Sequence, residues 1–289
     1  MKSNLIDEVS VFLLKRGYTV KAMKSGCFDI LARKEQILML KVVQDANSVT
    51  SDMAEDMKKL AGFLAAVPLI VAEKAGHELA DNIVYTRYDV YTMNTVTLMN
   101  CVKRRLPIIK STQAGYTAQL CGDELHEQRV EHGMSLNELA KKLGVSARMI
   151  TKYEKGESEV TLKKALKLYD LFGNGVFEHI DIFSSMLAKP GSGKTEISKK
   201  YLELGFEAAD TRRAPFDVIA KKDKDIILTE VGDKTSPHLL PWARLLEVDK
   251  LVIFKEKKPK NLPALSKDEF LEYEKSKELL KFLREFENK

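Results

Sequence analysis

Residues 135–156, SLNELAKKLGVSARMITKYEKG, predict two helices joined by a tight turn. Ser135 and Glu138 have the spacing of a capping box, in which each side chain accepts a hydrogen bond from the other residue's backbone N–H. Apolar residues then recur at helical spacing, at Leu136, Leu139, Ala140 and Leu143. Gly144 ends this helix, because glycine tolerates the left-handed conformation that a sharp turn needs, and Val145 is expected to be buried in the turn.

Ser146 is a favourable N-cap for the second helix of this pair, whose inward positions are Ile150 and Tyr153. Another helix is predicted over residues 123–130, and a further one begins at Thr161. The segment is therefore a small bundle of short helices with a turn at its centre.

Residues 122–175 resemble the lambda-repressor/Cro-like helix-turn-helix family on these landmarks. The resemblance implies a five-helix module over residues 122–177 that binds double-stranded DNA, with the recognition helix, residues 146–155, in the major groove. The outward-facing candidates on that helix are Ser146, Ala147, Arg148, Met149, Thr151 and Lys152. The family's base-facing positions correspond to Ala147, Arg148 and Lys152.

The chemistry of these side chains suits a DNA groove. Arg148 can bind the O6 and N7 atoms of a guanine, and Ala147 or Met149 can contact a thymine methyl group. Lys142 and Lys155 belong to a cluster of basic residues that can neutralise phosphates. The alternative is a helical bundle that contacts other proteins.

The composition excludes several other classes of protein. The 289 residues are 44% hydrophobic, which is enough for packed cores, and the net charge of +5 permits nucleic-acid binding without requiring it. Cys27, Cys101 and Cys121 form no CxxC pair, so we expect a reducing cytoplasm without disulfide or zinc frameworks. Neither a signal peptide nor a membrane span of about 20 apolar residues is expected.

The first 105 residues predict an α/β domain that ends before a β-hairpin connector at residues 106–121. Its helices are predicted at residues 6–15 and 51–65 and from Thr95 onward. Its strands are predicted at residues 18–23, 67–72 and 83–93, with a hairpin over residues 28–43.

A second α/β segment, residues 193–289, repeats this pattern. In both copies a helix ends at a glycine, Gly17 or Gly205, that an aromatic residue follows. A Phe-Asp pair comes later at the same distance, so that Asp29 in copy one corresponds to Asp217 in copy two. The matched spacing predicts a duplication.

The Phe-Asp strand followed by a second strand resembles the restriction-endonuclease-like, PD-(D/E)xK, fold. Active members hold Mg²⁺ with that Asp and a second acid one strand over, and a Lys two residues further on helps to activate water. In copy one the second strand offers Met39, Leu40 and Lys41, so the second acid is missing. In copy two Glu230 is available, but Gly232 stands where the Lys is expected. Asp217 and Glu230 are therefore weak metal candidates, and both copies are predicted to be degenerate.

Residues 188–195, AKPGSGKT, partly match a phosphate-binding loop, with Ala188 in place of the first glycine. Lys194 would contact the phosphates of a bound nucleotide. The match is loose, and we expect an interdomain linker over residues 178–192 instead. The basic run at residues 255–260, KEKKPK, is expected to be a solvated loop.

The whole order is α/β domain, helix-turn-helix, α/β domain, which resembles a family of archaeal HTH-type transcriptional regulators. The resemblance implies a cytoplasmic homodimer that binds DNA and has neither enzymatic activity nor a cofactor. It does not specify an effector. Two alternatives from other classes stay open: a Mg²⁺-dependent structure-specific nuclease that uses Asp217 and Glu230, and a nucleotide-binding switch at residues 188–195.

Overall fold

A computed structural model describes residues 2–23, 26–113, 115–184, 193–234 and 236–287. The chain forms two compact units, one of Met1–Ile70 with Ser184–Lys289 and the other of Val71–Phe183. We call them the flanking unit and the central unit. The domain boundaries expected near residues 105, 121, 177 and 192 stay predictions.

The helices and strands are numbered in chain order. The α-helices are α1 Lys2–Lys15, α2 Ser51–Leu64, α3 Thr95–Val102, α4 Gly122–Glu131, α5 Leu136–Leu143, α6 Ala147–Glu154, α7 Leu162–Phe172, α8 Glu196–Glu203, α9 Leu239–Leu246, α10 Lys267–Glu272 and α11 Ser276–Glu287. The strands are β1 Thr19–Ala22, β2 Ile30–Arg33, β3 Ile37–Asp45, β4 Ala66–Ala75, β5 His77–Glu78, β6 Ile83–Arg87, β7 Val90–Met93, β8 Ile109–Thr112, β9 Gly115–Ala118, β10 Val160–Thr161, β11 Glu207–Asp210, β12 Val218–Lys222, β13 Asp225–Val231, β14 Asp249–Phe254 and β15 Ala264–Ser266.

The flanking unit contains both copies of the predicted repeat. Copy one has the strand order β1-β2-β3-β4, and copy two has β11-β12-β13-β14-β15. Thr19 pairs with Arg33 in copy one and Glu207 pairs with Lys221 in copy two, so equivalent residues of these first two strands differ by 188. The structure therefore contains the duplication that the sequence predicts.

The two copies share one hydrophobic core. Phe28 of copy one packs against Trp242 of copy two, with ring centroids 4.8 Å apart. Leu31 and Met39 of copy one lie in the same cluster as Leu228 of copy two. The sheet face that carries these residues is therefore buried against the other copy.

Polar contacts join the copies at the margin of this core. Arg33 pairs with Glu247 at 2.6 Å, and Lys59 Nζ donates to the backbone oxygen of Asp210 at 2.9 Å. Cys27 N donates to the backbone oxygen of Arg213 at 3.1 Å. Pro215 stands at the position equivalent to Cys27 and has no N–H, so the symmetry-related bond cannot form.

In the central unit, the single strand expected over residues 83–93 is wrong. The structure has a hairpin of β6 and β7, in which Arg87 pairs with Val90. Tyr88 and Asp89 make the two-residue turn, with φ angles of 49° and 61°. Both residues adopt the left-handed conformation of a type I′ turn. Such turns usually contain Asn-Gly, so the Tyr-Asp sequence gives no signal for this hairpin.

Residues 122–177 are all described and contain four α-helices, α4 to α7, rather than the five that the family resemblance implies. Gly173, with a φ of 75°, ends α7, and the chain does not resume a helix before residue 177. Phe177 instead forms an isolated β-bridge with Leu120. The buried Phe177 side chain joins the core of the bundle, where a fifth helix would otherwise contribute.

We expect Phe28→Ala to destabilise the flanking unit by about 3–5 kcal/mol, as removal of a buried aromatic side chain does. Trp242 is the only tryptophan of the chain and touches Phe28, so its fluorescence reports the packing between the copies. The emission should shift to longer wavelength in F28A as water reaches the indole. Val11→Ala, at a position 48% exposed in copy one, should change neither quantity. Unaltered emission in F28A would show that the shared core is wrong.

Candidate nucleic-acid interface

The turn between α5 and α6 forms as the sequence predicts. Ser135 N donates to Glu138 Oε2 at 2.7 Å, and Glu138 N donates to Ser135 Oγ at 3.2 Å, which completes the capping box. These hydrogen bonds, from the backbone of Ser135 above all, lower the pKa of Glu138. Gly144 adopts a φ of 70° and Ser146 Oγ caps α6 by accepting from Met149 N at 3.3 Å.

The apolar faces of the four helices meet in one core, and Ile150 and Tyr153 are buried in it, as predicted. Val145 is only half-buried in the turn. α6 is thus anchored along one face, and its other face is exposed.

A buried ion pair joins α4 to α6. Arg129 Nε donates to Glu154 Oε1 at 2.5 Å, and Arg129 Nη1 donates to the backbone oxygen of Met134 at 2.8 Å. His126 Nδ1 lies 3.0 Å from Glu154 Oε2. Burial raises the pKa of Glu154, but the hydrogen bonds from Arg129 and His126 outweigh it, so the net shift is downward.

Sequence reasoning missed this ion pair, although two spacings signal it. Arg129 comes four residues after the buried Leu125, so a cation occupies an inward position of α4. Glu154 likewise comes four residues after the buried Ile150 on α6. Opposite charges on two inward faces of neighbouring helices indicate a buried pair.

The structure separates the predicted contact residues by exposure. Arg148, Lys152 and Lys155 are exposed at spacings of four and three residues, which places them on one side of α6 and its C-cap. No ion pair joins any of them to a described residue of the bundle. This row of three cations is called the α6 cationic stripe below.

The other candidates are partly engaged within the bundle. Met149 is half-buried and packs against the core, and Thr151 Oγ1 donates to the backbone oxygen of Ala147 at 3.3 Å. Ser146 is exposed, but its hydroxyl caps α6. The Lys142 side chain is exposed near the end of α5.

In copy one, an ion pair with Lys41 neutralises the charge of Asp29, the residue at the metal-binding Asp position of the nuclease fold. Asp29 is fully buried, and its Oδ2 accepts from Val42 N at 2.9 Å and lies 3.3 Å from Lys41 Nζ. Lys41 Nζ also donates to the backbone oxygen of Gly26 at 2.7 Å. Met39 stands at the position of the second acid and is buried in the shared core.

The strand pairing of copy two corrects the position that the sequence comparison of the two copies assigns to Glu230. Asp29 N donates to Leu40 O and Asp217 N donates to Thr229 O, so Leu40 and Thr229 are equivalent. Glu230 therefore corresponds to Lys41 and not to the second acid. The shift arises because three residues connect the paired Arg33 and Ile37 in copy one, whereas four connect the equivalent Lys221 to its partner Ile226 in copy two.

The second-acid position of copy two is occupied by Leu228, which is buried in the shared core as Met39 is. Glu230 is only 8% exposed, and its Oε1 accepts from Ser236 N at 2.6 Å. Its Oε2 has no hydrogen-bond partner among the described residues. Burial and the charge of Asp217 together raise the pKa of Glu230, although the Ser236 amide opposes them.

These residues do not fit a Mg²⁺ site of the nuclease type. Copy one offers a single carboxylate that a lysine already neutralises, and copy two has an acid where the lysine belongs. The described residues contain no group of three or more His, Cys, Asp or Glu side chains that could hold a metal ion.

Most of the loop resembling a phosphate-binding loop, residues 188–192, lies outside the described residues. At its end, the backbone N–H groups of Lys194 and Thr195 both donate to the Asp210 carboxylate. Thr195 also caps α8 by accepting from Ser198 N at 3.2 Å. A carboxylate of the chain thus occupies the amides that a phosphate would need.

Across the described ranges, no helix combines the length and hydropathy of a bilayer span.

Comparison with known proteins finds a match for copy one of the nuclease-like repeat and a match for the helix-turn-helix segment. A family model described as "PD-(D/E)XK superfamily domain" matches residues 2–107, and one described as "Helix-turn-helix" matches residues 125–176. No solved structure matches the chain.

Three relatives carry the name "Putative HTH-type transcriptional regulatory protein". The relative from Thermococcus gammatolerans is 32% identical over 87% of this chain and 83% of its own length. That from Thermococcus kodakarensis is 31% identical over 98% and 95%, and that from Pyrococcus horikoshii is 30% identical over 100% and 99%. The chain therefore belongs to this archaeal family of HTH-type transcriptional regulatory proteins.

Proposed function

We propose that the chain is a sequence-specific DNA-binding regulator of transcription that places α6 in the major groove. The observation that carries the proposal is the α6 cationic stripe, Arg148, Lys152 and Lys155, on a helix whose opposite face is anchored in the bundle. Exposed cations on a rigid helix supply phosphate neutralisation and base contacts together. The names of the relatives agree with this function.

The proposed DNA contact of each residue follows from how exposed its side chain is and whether the bundle already engages it. Arg148 is exposed and unrestrained, so it would bind a guanine edge, and the half-exposed Ala147 would face a thymine methyl group. Lys152 would add a base contact, and Lys142 and Lys155 would bind phosphates. Met149 and Thr151 contribute less, because packing and an internal hydrogen bond already engage them.

The Arg129–Glu154 pair would act as a positioning element for this interface. It holds the C-terminal end of α6 against α4 and leaves the other side of α6 toward DNA. It also neutralises the only acidic residue between positions 141 and 155, so the exposed side of that segment is cationic.

The flanking unit would have no nuclease activity and serve as a scaffold. Neither copy retains the Asp, second acid and Lys together, and the acid positions are apolar in both. The regulator would act in the cytoplasm as a homodimer, as helix-turn-helix proteins that recognise two half-sites do.

We expect Arg148→Ala to relax base preference, with a loss of about 1–3 kcal/mol at the selected sequence only, because one base contact disappears. Lys142→Ala should weaken binding to all duplexes and reduce the salt slope by about one, because one phosphate contact disappears. Titration of selected and scrambled duplexes at several salt concentrations measures both. Lys277→Ala, at an exposed site on α11, is the control and should change neither. Unchanged affinity of R148A for the selected duplex would refute the groove assignment.

We expect Arg129→Met to destabilise the central unit by roughly 3–5 kcal/mol, because it removes the guanidinium that pairs with the largely buried Glu154 carboxylate. Arg105→Met, on the surface of the same unit, should have little effect. Urea unfolding followed by circular dichroism measures both. Equal stability of the two variants would contradict the role of the pair.

The same pair should make stability depend on acidity. The pKa of Glu154 is lowered in the folded state, so its contribution is complete above the ordinary glutamate pKa of about 4.3 and is lost as the pH falls through the lower folded value. In Glu154→Gln, unfolding free energy measured from pH 7 down to about 3 should lose that part of the slope. A slope identical to that of the parent chain would exclude the linkage.

We expect Glu230→Gln to stabilise the flanking unit at neutral pH. The raised pKa means that folding opposes ionisation of this buried carboxyl, and an amide removes that penalty. Glu256→Gln, on an exposed loop, is the matched control.

The parent chain should leave plasmid and branched duplexes intact with Mg²⁺ or Mn²⁺. Cleavage by the parent that E230Q abolishes would establish a nuclease instead.

A further inference from the structure

α7 closes the helix-turn-helix core on one side and exposes a second apolar face on the other. Ala165 and Leu168 are buried in the bundle, whereas Leu166 is 57% exposed and Tyr169 is 53% exposed. Leu162, one turn before Leu166, is half-buried on the same exposed face. Two large apolar side chains one turn apart, left exposed by the part of the chain that the structure describes, indicate a contact surface.

Charges flank this apolar stripe in a self-complementary pattern. Lys163 and Asp170 lie on the same side of the stripe, because a spacing of seven residues is nearly two helical turns. They lie roughly 5 Å below and above a point between Leu166 and Lys167, at 1.5 Å per residue. Neither forms an ion pair with any residue that the structure describes.

We propose that α7 is the surface on which two copies of the chain pair, antiparallel, about a twofold axis. That axis inverts the height along the helix and keeps the flank, so Lys163 of each copy meets Asp170 of the other. Leu166 then packs against its own counterpart, and Tyr169 packs near the Leu162 of the second copy. A parallel pair about a twofold along the helices would put Lys163 and Asp170 of the two copies on opposite flanks, where the opposite charges could not meet.

α7 packs against the end of α5, where Leu168 and Leu143 lie in the same core. Lys167 Nζ of α7 also donates to the backbone oxygen of Lys142 at 3.0 Å. An α7 pair would therefore fix the separation of two recognition helices. The inference rests on the proposed function in this respect, since paired half-sites on DNA are what such a dimer would recognise.

A competing surface lies on α1, where Val11 and Leu14 are also exposed, with Glu8 and Lys15 at the same spacing. α1 belongs to the flanking unit, so pairing through it would not by itself set the distance between two recognition helices. α7 is preferred for that reason, and α1 supplies a matched control.

The contact is small. An 11-residue helix pair covers less than the roughly 800 Å² per partner of a standard interface, so a reversible monomer–dimer equilibrium is expected in solution. Two half-sites on one duplex would raise the effective concentration of the copies and favour the dimer.

Sedimentation equilibrium of the intact chain without DNA tests the proposal. Lys163→Asp or Asp170→Lys alone should weaken dimerisation by roughly tenfold, because each change replaces two ion pairs by two like-charge contacts. The double variant K163D/D170K should recover the parent dissociation constant, since each reversed charge then meets its reversed partner. Leu166→Glu should abolish the dimer and, at an exposed site, leave the circular dichroism spectrum unchanged.

The α1 variants Glu8→Lys and Lys15→Glu should leave dimerisation unaltered. A parent chain that stays monomeric, a double variant that fails to recover, or a loss confined to the α1 variants would overturn the proposal. Because DNA is absent, these outcomes leave the base-preference test of Arg148 unaffected. The failure of the dimer surface and the failure of the DNA-binding function are therefore distinguishable.

Discussion

The flanking unit depends on one constraint: the same sheet face of both copies packs into a single apolar core. Phe28 against Trp242 is the centre of that contact. Met39 and Leu228, in the same core, occupy the positions where an active nuclease needs its second acid. A carboxylate there would be buried without a partner, which costs several kcal/mol. Packing of the two copies and metal-dependent catalysis therefore compete for the same positions, and in this chain packing prevails.

The central unit shows the opposite use of charge, because its buried ion pair is satisfied. Arg129 gives Glu154 two hydrogen bonds, and the spare guanidinium donor goes to the backbone of Met134. Pairing of this kind adds little net stability, but removal of either partner alone strongly destabilises the fold. The pair also sorts the charges of α6: Glu154 is turned inward, and Arg148 and Lys152 are left outward.

Features set by neighbouring residues could be predicted from the sequence. The caps at Ser135 and Ser146 and the turn at Gly144 depend on residues within four positions, and all three are present. Features set by distant residues or exact register could not. The extra residue between Lys221 and Ile226, which moves Glu230 to the lysine position, changes no local pattern. Nor does any local signal bring residues 1–70 and 184–289 into one unit. Of the candidate site, exposure of Arg148 and Lys152 was predictable, and the Arg129–Glu154 pair needed the tertiary structure.

Sequence-specific binding by the intact chain is the central claim, and selection from a random duplex library measures it most directly. DNA recognition through α6 predicts one enriched motif, with guanine at a fixed position opposite Arg148. It also predicts that the selected duplexes are recovered uncut after incubation with Mg²⁺ or Mn²⁺. Recovery of duplexes without any shared motif, or of duplexes cut at the selected site, would contradict it.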